Sequence, residues 1–259
     1  MGELTLPAYQ NEAATLYRGD SLALLPEFTE ETFDMVFADP PYFLSNGGIS
    51  CSGGKQVSVN KGAWDEGCDL ESKHVFNRAW IRACKRVMKP NATIWISGTF
   101  HNIYSVGFAL EQEGFKILNN ITWAKTNPPP NLACRCFTHS TETVLWARKD
   151  DKKARHYFDY SLMKEINGGK QMKDVWTGSL TKKSEKVQGK HPTQKPEYLL
   201  ERIVLASTRE GDLILDPFVG SGTTAVVAQR LGRRCVGIDN ESEYIEIARK
   251  RLERGATND

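Results

Sequence analysis

One short stretch of this chain combines groups that can hold a flat ring bearing an exocyclic amine. Asp39-Pro40-Pro41-Tyr42 follows 33–38, a mostly apolar run with the residue types of a buried strand. Because proline fixes φ and has no N–H, the turn is stiff and its carbonyls are expected to remain free for a ligand. A carboxylate, a fixed carbonyl and an aromatic face at a strand's carboxyl end suit such a ring.

A second stretch, late in the chain, has the residue types of a nucleoside-binding turn. Leu213-Ile214-Leu215 predicts a strand that ends at Asp216. Gly220 and Gly222 permit a tight turn against a ligand, and Thr223 is expected to cap the helix that follows. The pattern therefore predicts a strand, a glycine turn and a helix in direct succession.

A carboxylate lies at the end of the next predicted strand, Cys235-Val236-Gly237-Ile238. Asp239 follows Gly220 by 19 residues, which is the spacing of a carboxylate that binds ribose hydroxyls beyond a glycine-rich loop. The loop lacks the Gly-Lys-Ser or Gly-Lys-Thr that cradles a triphosphate, and it is not Gly-x-Gly-x-x-Gly. Triphosphate and pyrophosphate sites are therefore disfavoured, whereas a ribose site is expected.

The remaining segments predict the sheet that positions these turns. Apolar runs with strand character alternate with segments of helical periodicity, which is typical of a doubly wound α/β fold with a mostly parallel sheet. We expect a single domain over residues 1–259. Four tryptophans are expected to be core residues: Trp80, Trp95, Trp123 and Trp146. The predicted strands are 15–18, 93–97, 115–123 and 142–147, and the predicted helices are 72–88 and 103–113.

A polar pair ends the first predicted strand on the same rim as Asp39. Gly19-Asp20 follows 15–18, and Ser21 is expected to cap a short helix over 22–25. Open α/β sheets bind ligands at the carboxyl ends of their strands, so Asp20 is a candidate ligand-binding residue. A plain helix-capping role for Asp20 is an equal alternative.

Composition restricts the classes of function. The chain has 259 residues, enough for one sizeable core, and its formal net charge of +2 means that a nucleic-acid footprint has to be local. No stretch approaches the roughly 18 consecutive apolar residues of a membrane helix, and the start lacks a secretory pattern, so a cytoplasmic location is expected. The six cysteines lack paired zinc-finger spacing, so free thiols and no metal site are predicted.

Three motifs together identify the chain as a member of a known enzyme family. Asp-Pro-Pro-Tyr resembles the catalytic motif of the DNA methyltransferases that modify N6 of adenine or N4 of cytosine. The run from Asp216 to Thr224 resembles their S-adenosylmethionine motif, and His191-Pro192-Thr193-Gln194-Lys195-Pro196 is similar to the segment that wraps the methionine end of that cofactor. Because the catalytic motif precedes the cofactor motif, the order resembles the permuted beta group.

The resemblance covers about residues 15–252 and implies a role for each matching position. The cofactor would be S-adenosylmethionine and the partner DNA, and a homodimer is the oligomer to consider because relatives often pair. The implied catalytic residues are Asp39, Pro40, Pro41 and Tyr42. The implied cofactor-binding residues are Asp20, Thr193, Gln194, Lys195, Asp216, Pro217, Phe218, Gly220, Ser221, Gly222, Thr223 and Asp239.

Two loops on the same rim are expected to contact the substrate. Residues 43–67, rich in Ser, Asn, Gly and Lys, are predicted to be a mobile loop that orders over DNA or over the target base. The proline-rich run 125–131 and the polar residues after it resemble the segment that lines the pocket for the extruded base, with Asn127 and Arg135 as candidate DNA contacts. The alternatives are a solvated insertion and a rigid surface turn, respectively.

A basic segment separates the catalytic half of the chain from the cofactor half. Residues 151–190 hold ten Lys or Arg and five Asp or Glu, an excess of five in a chain whose total is +2. In the family this place, here 151–188, holds a small inserted target-recognition element. Lys182, Lys183 and Lys186 are the candidate phosphate contacts, and a solvated charged face is the alternative. Four aromatic residues suit stacking or base contact: Tyr157, Phe158, Tyr160 and Trp176.

A narrower resemblance rests on residues 43–50, Phe-Leu-Ser-Asn-Gly-Gly-Ile-Ser, which are similar to the second adenine methylase of DpnII-type restriction and modification systems. It implies an adenine-specific DNA methyltransferase acting on GATC in duplex or single-stranded DNA. The flipped adenine would stack on Tyr42 and donate its amine protons to Asp39 and the Pro40 carbonyl. Three alternatives remain: N4-cytosine methylation, methylation of a planar amide such as a glutamine side chain, and a catalytically silent nucleic-acid binder. Asp rather than Ser at position 39 favours adenine over cytosine.

Overall fold

The alternating pattern folds into a mixed sheet flanked by helices. The computed structural model describes residues 5–43, 49–52, 55–58, 69–189 and 191–256. The strands are β1 Tyr9–Gln10, β2 Ala14–Arg18, β3 Phe33–Ala38, β4 Ile49–Ser52, β5 Lys55–Ser58, β6 Met88–Gly98, β7 Phe115–Lys125, β8 Thr141–Lys149, β9 Val175–Gly178, β10 Leu213–Asp216 and β11 Arg234–Asp239. The helices are α1 Ser21–Leu24, α2 Leu70–Val87, α3 Ile103–Gln112, α4 Tyr160–Ile166, α5 Glu197–Ser207, α6 Thr223–Arg230 and α7 Ser242–Ala256.

The main sheet, within the described residues, has nine strands in the order β1-β2-β11-β10-β3-β6-β8-β7-β9. Strands β2, β11, β10, β3 and β6 run parallel to one another, whereas β1 is antiparallel to β2, and β8 runs antiparallel between β6 and β7. The late strands β10 and β11 lie between the early strands β2 and β3, which is the permuted arrangement that the motif order predicted. The doubly wound, mostly parallel α/β prediction is confirmed.

Side chains of β3 show how the sheet is covered on both faces. Met35 and Phe37 pack into a core with α5, α6 and α7, whereas Val36 and Ala38 pack into a second core with α2 and α3. Strands buried on both faces read as continuous apolar runs, which is why β3 was recognisable. The four tryptophans predicted to be core residues are at most 5% exposed, as expected.

One rim of the sheet collects the loops that carry the predicted chemistry. Strands β3, β10 and β11 end there at Ala38, Asp216 and Asp239, and β6 ends beside them at Gly98. Strand β7 also ends at this rim, because Thr143 of the antiparallel β8 pairs with Gly98. The loop 126–140 therefore leaves from the same rim as the Asp39 turn.

Two predicted helix caps are wrong by one residue. The N-cap of α1 is Asp20, whose side chain accepts from the Leu22 N–H, and Ser21 is already helical and donates to the Pro217 carbonyl. The N-cap of α6 is Gly222 at φ 79°, and the Thr223 hydroxyl makes no capping bond. The alternative role of Asp20, as the cap of a helix, is therefore confirmed.

The segments predicted to be irregular contain regular structure. Residues 49–58, inside the predicted loop 43–67, include the antiparallel pair β4 and β5, and the rest of that loop beyond Phe43 lies outside the described residues. The segment 151–188 contains α4 and β9, and β9 pairs in parallel with β7. Trp176 of β9 is 6% exposed and packs near Trp95, so the expectation that it stacks on bases is wrong. No helix in the described residues is long and apolar enough to cross a membrane.

Candidate active site

The rim opens onto a cavity of about 250 Å³ between the Asp39 turn and the glycine turn. Every predicted catalytic and cofactor-binding residue except Gly222 lines it. A Cβ on Gly222 would lie 2.6 Å from the Ala248 Cβ, so this glycine lets α7 pack closely behind the turn. The cavity also has lining residues that the sequence did not single out as ligand contacts: Phe37, Phe76, His191, Leu200, Val219, Thr224, Asn240, Glu241 and Tyr244.

At the catalytic end, three side chains form a closed hydrogen-bonded triangle. The Tyr42 hydroxyl donates to Asp39 Oδ1 at 2.5 Å, and Lys195 Nζ donates to Asp39 Oδ2 at 2.6 Å and to the Tyr42 oxygen at 2.8 Å. Lys195 lies in the predicted cofactor segment, yet its ammonium contacts the catalytic turn. Each oxygen of Asp39 therefore already accepts one hydrogen bond before any substrate arrives.

Burial and neighbouring charge set the protonation states of this triangle. Burial raises the pKa of Asp39, and the Lys195 ammonium offsets part of that rise. Burial alone lowers the pKa of Lys195, but the carboxylates of Asp39 and Glu142 raise it above its usual value. Burial and the Asp39 carboxylate together raise the pKa of Tyr42, which keeps its phenol protonated. The triangle is thus an ion pair braced by a neutral hydroxyl.

Glu142 and Lys125 complete this cluster. Glu142 was not predicted as a site residue, and Lys125 was predicted only as part of the run 125–131. Lys125 Nζ lies 2.7 Å from Glu142 Oε1, and Lys195 Nζ lies 3.6 Å from Glu142 Oε2. Burial raises the pKa of Glu142, but the two ammonium groups lower it more, so the carboxylate is ionised. A glutamate at the start of the apolar run 142–147 was the available signal, because a buried charge needs partners.

The carbonyls of the catalytic turn differ in their availability. The Pro41 carbonyl accepts from Asn102 Nδ2 at 3.0 Å, and Asn102 Oδ1 accepts from Asn77 Nδ2 at 2.7 Å. The expectation that the turn's carbonyls stay free is therefore wrong for Pro41. The Pro40 carbonyl receives no hydrogen bond from the described residues, and Pro40 lines the cavity. Buried Asn77 and Asn102 hold the turn so that one acceptor is left for a ligand.

At the other end, two carboxylates face the cavity with only neutral donors. Asp239 accepts from the backbone N–H groups of Gly220 at 2.9 Å and Glu241 at 2.8 Å. Asp216 accepts from the Thr224 hydroxyl at 2.5 Å and the Phe218 N–H at 3.0 Å. Within the described residues, neither carboxylate has a cationic side chain within 4.0 Å. Burial raises the pKa of Asp216 to about 7 and that of Asp239 to about 6.

These residues fit a cationic ligand that carries several hydrogen-bond donors. Uncompensated carboxylates favour positive charge nearby, and their remaining lone pairs can accept from hydroxyl or ammonium groups. Gln194 Oε1 is buried and receives no hydrogen bond from the described part of the chain. Such an orphaned acceptor in a cavity wall is explained by a ligand donor.

A buried arginine from the last helix fixes the glycine turn. Arg251 donates to the Ser221 carbonyl at 2.8 Å and to the Thr223 hydroxyl at 2.9 Å, and it pairs with Glu197 at 2.9 Å. The Thr223 hydroxyl donates in turn to the Lys195 carbonyl. One guanidinium therefore joins α7, the glycine turn and the start of α5. No local sequence pattern predicted these contacts.

The predicted DNA-binding residues lie outside the cavity. Arg135, Lys182 and Lys183 are exposed, Asn127 accepts from the Leu180 N–H at 2.9 Å, and Lys186 is half-buried. The basic segment is anchored beside the cofactor segment, because Gln194 donates to the Glu185 carbonyl at 2.9 Å. Among the described residues, no group of three His, Cys, Asp or Glu side chains could hold a metal ion.

Comparisons with known proteins agree with this arrangement. A family model described as DNA methylase, of the N6 and N4 type, matches residues 33–250. The chain is 72% identical over 250 residues to the type II methyltransferase M2.DpnII of Streptococcus pneumoniae, covering 96% of this chain and 93% of the relative. It is 70% identical over 254 residues to the type II methyltransferase M2.LlaDCHI of Lactococcus lactis subsp. cremoris, covering 98% and 94%.

A solved structure shares the fold. The crystal structure of the M1.HpyAVI-SAM complex matches with a TM-score of 0.69 at 28% identity, covering 92% of this chain and 98% of that chain. Together with the family model and the near-complete matches to two type II methyltransferases, this places the sequence in one family. The chain belongs to the N6/N4 DNA methylase family.

Proposed function

We propose that this protein transfers the methyl group of S-adenosylmethionine to N6 of an adenine extruded from GATC in DNA, as the modification enzyme of a restriction and modification system. The observation that carries the proposal is the single cavity that joins the Asp39 turn to the Asp216 and Asp239 carboxylates. Family membership supports the reaction class, and the segment 43–50 supports the adenine target within GATC.

The cofactor would occupy the end of the cavity with uncompensated carboxylates. Asp239 would accept from ribose hydroxyls, and the orphaned Gln194 oxygen would accept from the ammonium of the methionine part. Asp20 lines the same cavity although it caps α1, and it would lie near the adenine of the cofactor. S-adenosylmethionine supplies an electrophilic methyl group on a sulfonium centre.

The target adenine would enter above Asp39. Extrusion from duplex DNA costs a few kcal/mol, and stacking on the Tyr42 ring offsets part of that cost. The N6 lone pair is delocalised into the ring, so hydrogen bonds from its two protons to Asp39 and the Pro40 carbonyl would localise it. Asp39 would also stabilise the positive charge that develops on nitrogen and accept the released proton. No covalent enzyme intermediate is required.

Recognition of DNA would fall to the rim loops. The loop 126–140 leaves from the rim of the Asp39 turn, and the segment 151–188 would act as the target-recognition element, with Lys182 and Lys183 on phosphates. A homodimer in solution is part of the proposal, and sedimentation velocity would test it.

The experiment is a product analysis with tritiated S-adenosylmethionine. Two short DNAs, one with GATC and one scrambled, are each supplied as duplex and as single strand, then digested to nucleosides. The proposal predicts N6-methyladenine in the GATC DNA only. Label in cytosine would replace the adenine assignment by N4-cytosine methylation, and absence of label would contradict methyl transfer to DNA.

A further inference from the structure

Glu142 is a buried carboxylate to which the proposed reaction gives no role. It lies on β8, and its side chain is 11% exposed. Oε1 is held by Lys125 at 2.7 Å, but Oε2 receives no hydrogen bond from the described residues. Native proteins rarely leave a buried ionised oxygen without a donor, so this vacancy needs an explanation.

The Lys195 ammonium lies near that oxygen but donates its hydrogen bonds to other groups. Its Nζ lies 3.6 Å from Glu142 Oε2, too far for a hydrogen bond, and 2.6 Å from Asp39 Oδ2. Lys195 therefore sits between two carboxylates and bonds to one of them. A shift of roughly 1 Å towards Glu142 would exchange one charge-assisted hydrogen bond for another.

Binding of the target amine favours such a shift. Each Asp39 oxygen already accepts one hydrogen bond, Oδ1 from Tyr42 and Oδ2 from Lys195, so the target amine would compete with these donors for the same carboxylate. An ammonium that left Asp39 without a new partner would be a buried unpaired charge, which is strongly unfavourable. The cluster contains two carboxylates and two ammonium groups, so the exchange leaves its net charge at zero.

We propose that Glu142 is a positioning residue that receives the Lys195 ammonium when the target amine binds Asp39. The inference rests on the proposed function, because it concerns how that site accepts an exocyclic amine. Lys125 fixes Glu142 so that its open oxygen faces Lys195. The pair Lys125 and Glu142 thereby offers the Lys195 ammonium a second carboxylate, so that Lys195 need not stay on Asp39.

The test compares Glu142→Gln with Glu113→Gln, a matched control. Glu113 is also a buried carboxylate with two cationic partners, Arg78 and Arg82, whereas the Glu142 partner Lys195 bonds to Asp39. Glutamine keeps the shape of the side chain, and at position 142 it removes the charge that would receive Lys195. We expect Glu142→Gln to lower the single-turnover methyl-transfer rate about 10- to 100-fold at saturating DNA and cofactor. The cofactor affinity of Glu142→Gln and the rate of Glu113→Gln should each stay within about twofold of wild type.

A binding measurement without turnover separates positioning from folding. Affinity is measured in the presence of sinefungin for DNA with adenine or with purine, which lacks the amine, at the target position. Relative to wild type, Glu142→Gln should shift the ratio of dissociation constants against adenine by about tenfold or more, since only adenine must displace Lys195. In a Lys195→Met background, where no ammonium has to move, Glu142→Gln should leave this ratio unchanged.

The outcomes distinguish failure of the proposed function from failure of the role proposed for Glu142. A wild-type protein that methylates no DNA refutes the proposed function itself. If wild type methylates adenine but Glu142→Gln keeps both the rate and the adenine-to-purine ratio, only the role of Glu142 is refuted. A shift of the ratio that persists in the Lys195→Met background would also refute it, because Glu142 would then act without Lys195.

Discussion

The two ends of the cavity handle buried charge in opposite ways. At the catalytic end, Asp39 and Glu142 are balanced by Lys195 and Lys125. At the cofactor end, Asp216 and Asp239 have only hydroxyl and backbone N–H donors, and burial raises their pKa values to about 7 and about 6. The protein thus supplies the counter-charge at one end and leaves it to the ligand at the other.

This difference matches the two proposed ligands. An adenine amine is neutral, so it is best received by a carboxylate whose charge is already balanced. A sulfonium cofactor is cationic, and it relieves the desolvation of carboxylates that lack a partner. The cofactor end should therefore receive its counter-charge from the ligand, whereas the catalytic end has its counter-charges before the base arrives.

The largest expected effect comes from removing the acceptor at the catalytic end. Asp39→Ala should lower the methyl-transfer rate by at least about 1000-fold, because a preorganised electrostatic partner of the reacting atom is lost. Cofactor affinity, measured by calorimetry, should stay within about threefold. Asp34→Asn, on the strand that precedes Asp39 and outside the cavity, serves as the control. Unimpaired transfer by Asp39→Ala would refute its role.

The matching change at the cofactor end should affect binding instead. Asp239→Ala should weaken cofactor affinity about 10- to 100-fold through loss of charge-assisted hydrogen bonds. Asp212→Ala removes an aspartate that also accepts a backbone N–H, in a surface turn, and should have little effect. Equal cofactor affinities for the two variants would show that Asp239 does not hold the ligand.

The raised pKa values of the cofactor end predict a pH dependence. A cationic ligand needs ionised carboxylates, so cofactor affinity should rise from pH 5 to above 7. Below the pKa of each of the two carboxyl groups, that group should contribute about a tenfold rise in affinity per pH unit. The stability of the free protein should change with pH in the opposite direction to cofactor affinity. The folded state binds more protons than the unfolded state between the unfolded pKa of 3.8 and the folded pKa values of about 7 for Asp216 and about 6 for Asp239. Unfolding free energy should therefore fall as pH rises through that window, and affinity independent of pH would contradict the account.

The glycine turn permits a matched test of close packing. Gly222 and Gly211 have φ values of 79° and 81°, but only at Gly222 would a Cβ clash, with Ala248. Gly222→Ala should therefore lower the free energy of unfolding by about 1–3 kcal/mol more than Gly211→Ala. Chemical denaturation measures both. Equal losses would mean that strain in φ, rather than packing of α7, explains the glycine.

The smallest expected effect concerns DNA phosphates. Lys182→Ala and Lys183→Ala should each weaken DNA binding a few-fold and reduce the slope of log K against log salt by about 1. Lys116→Ala, an exposed lysine at the opposite end of β7, should change neither. Unchanged slopes would identify the basic segment as a solvated face.

Sequence patterns predicted some residues at each end of the cavity and missed others. The Asp39 turn and the glycine turn each follow a buried strand directly, so their residues form continuous motifs that the sequence shows. Glu142, Lys125 and Arg251 belong to strands and a helix far apart in the chain, and only the folded sheet brings them to the site. The prediction that Trp176 contacts bases was wrong because β9 lies in a polar, charged segment of the sequence, although this strand extends the main sheet.

The most direct test is a crystal structure of the protein with GATC DNA and sinefungin. We expect the amine of the extruded adenine within hydrogen-bond distance of the Asp39 carboxylate and the Pro40 carbonyl, and sinefungin against Asp239. This expectation would be contradicted by an extruded base bound away from Asp39, or by sinefungin bound outside the Asp216 and Asp239 end of the cavity.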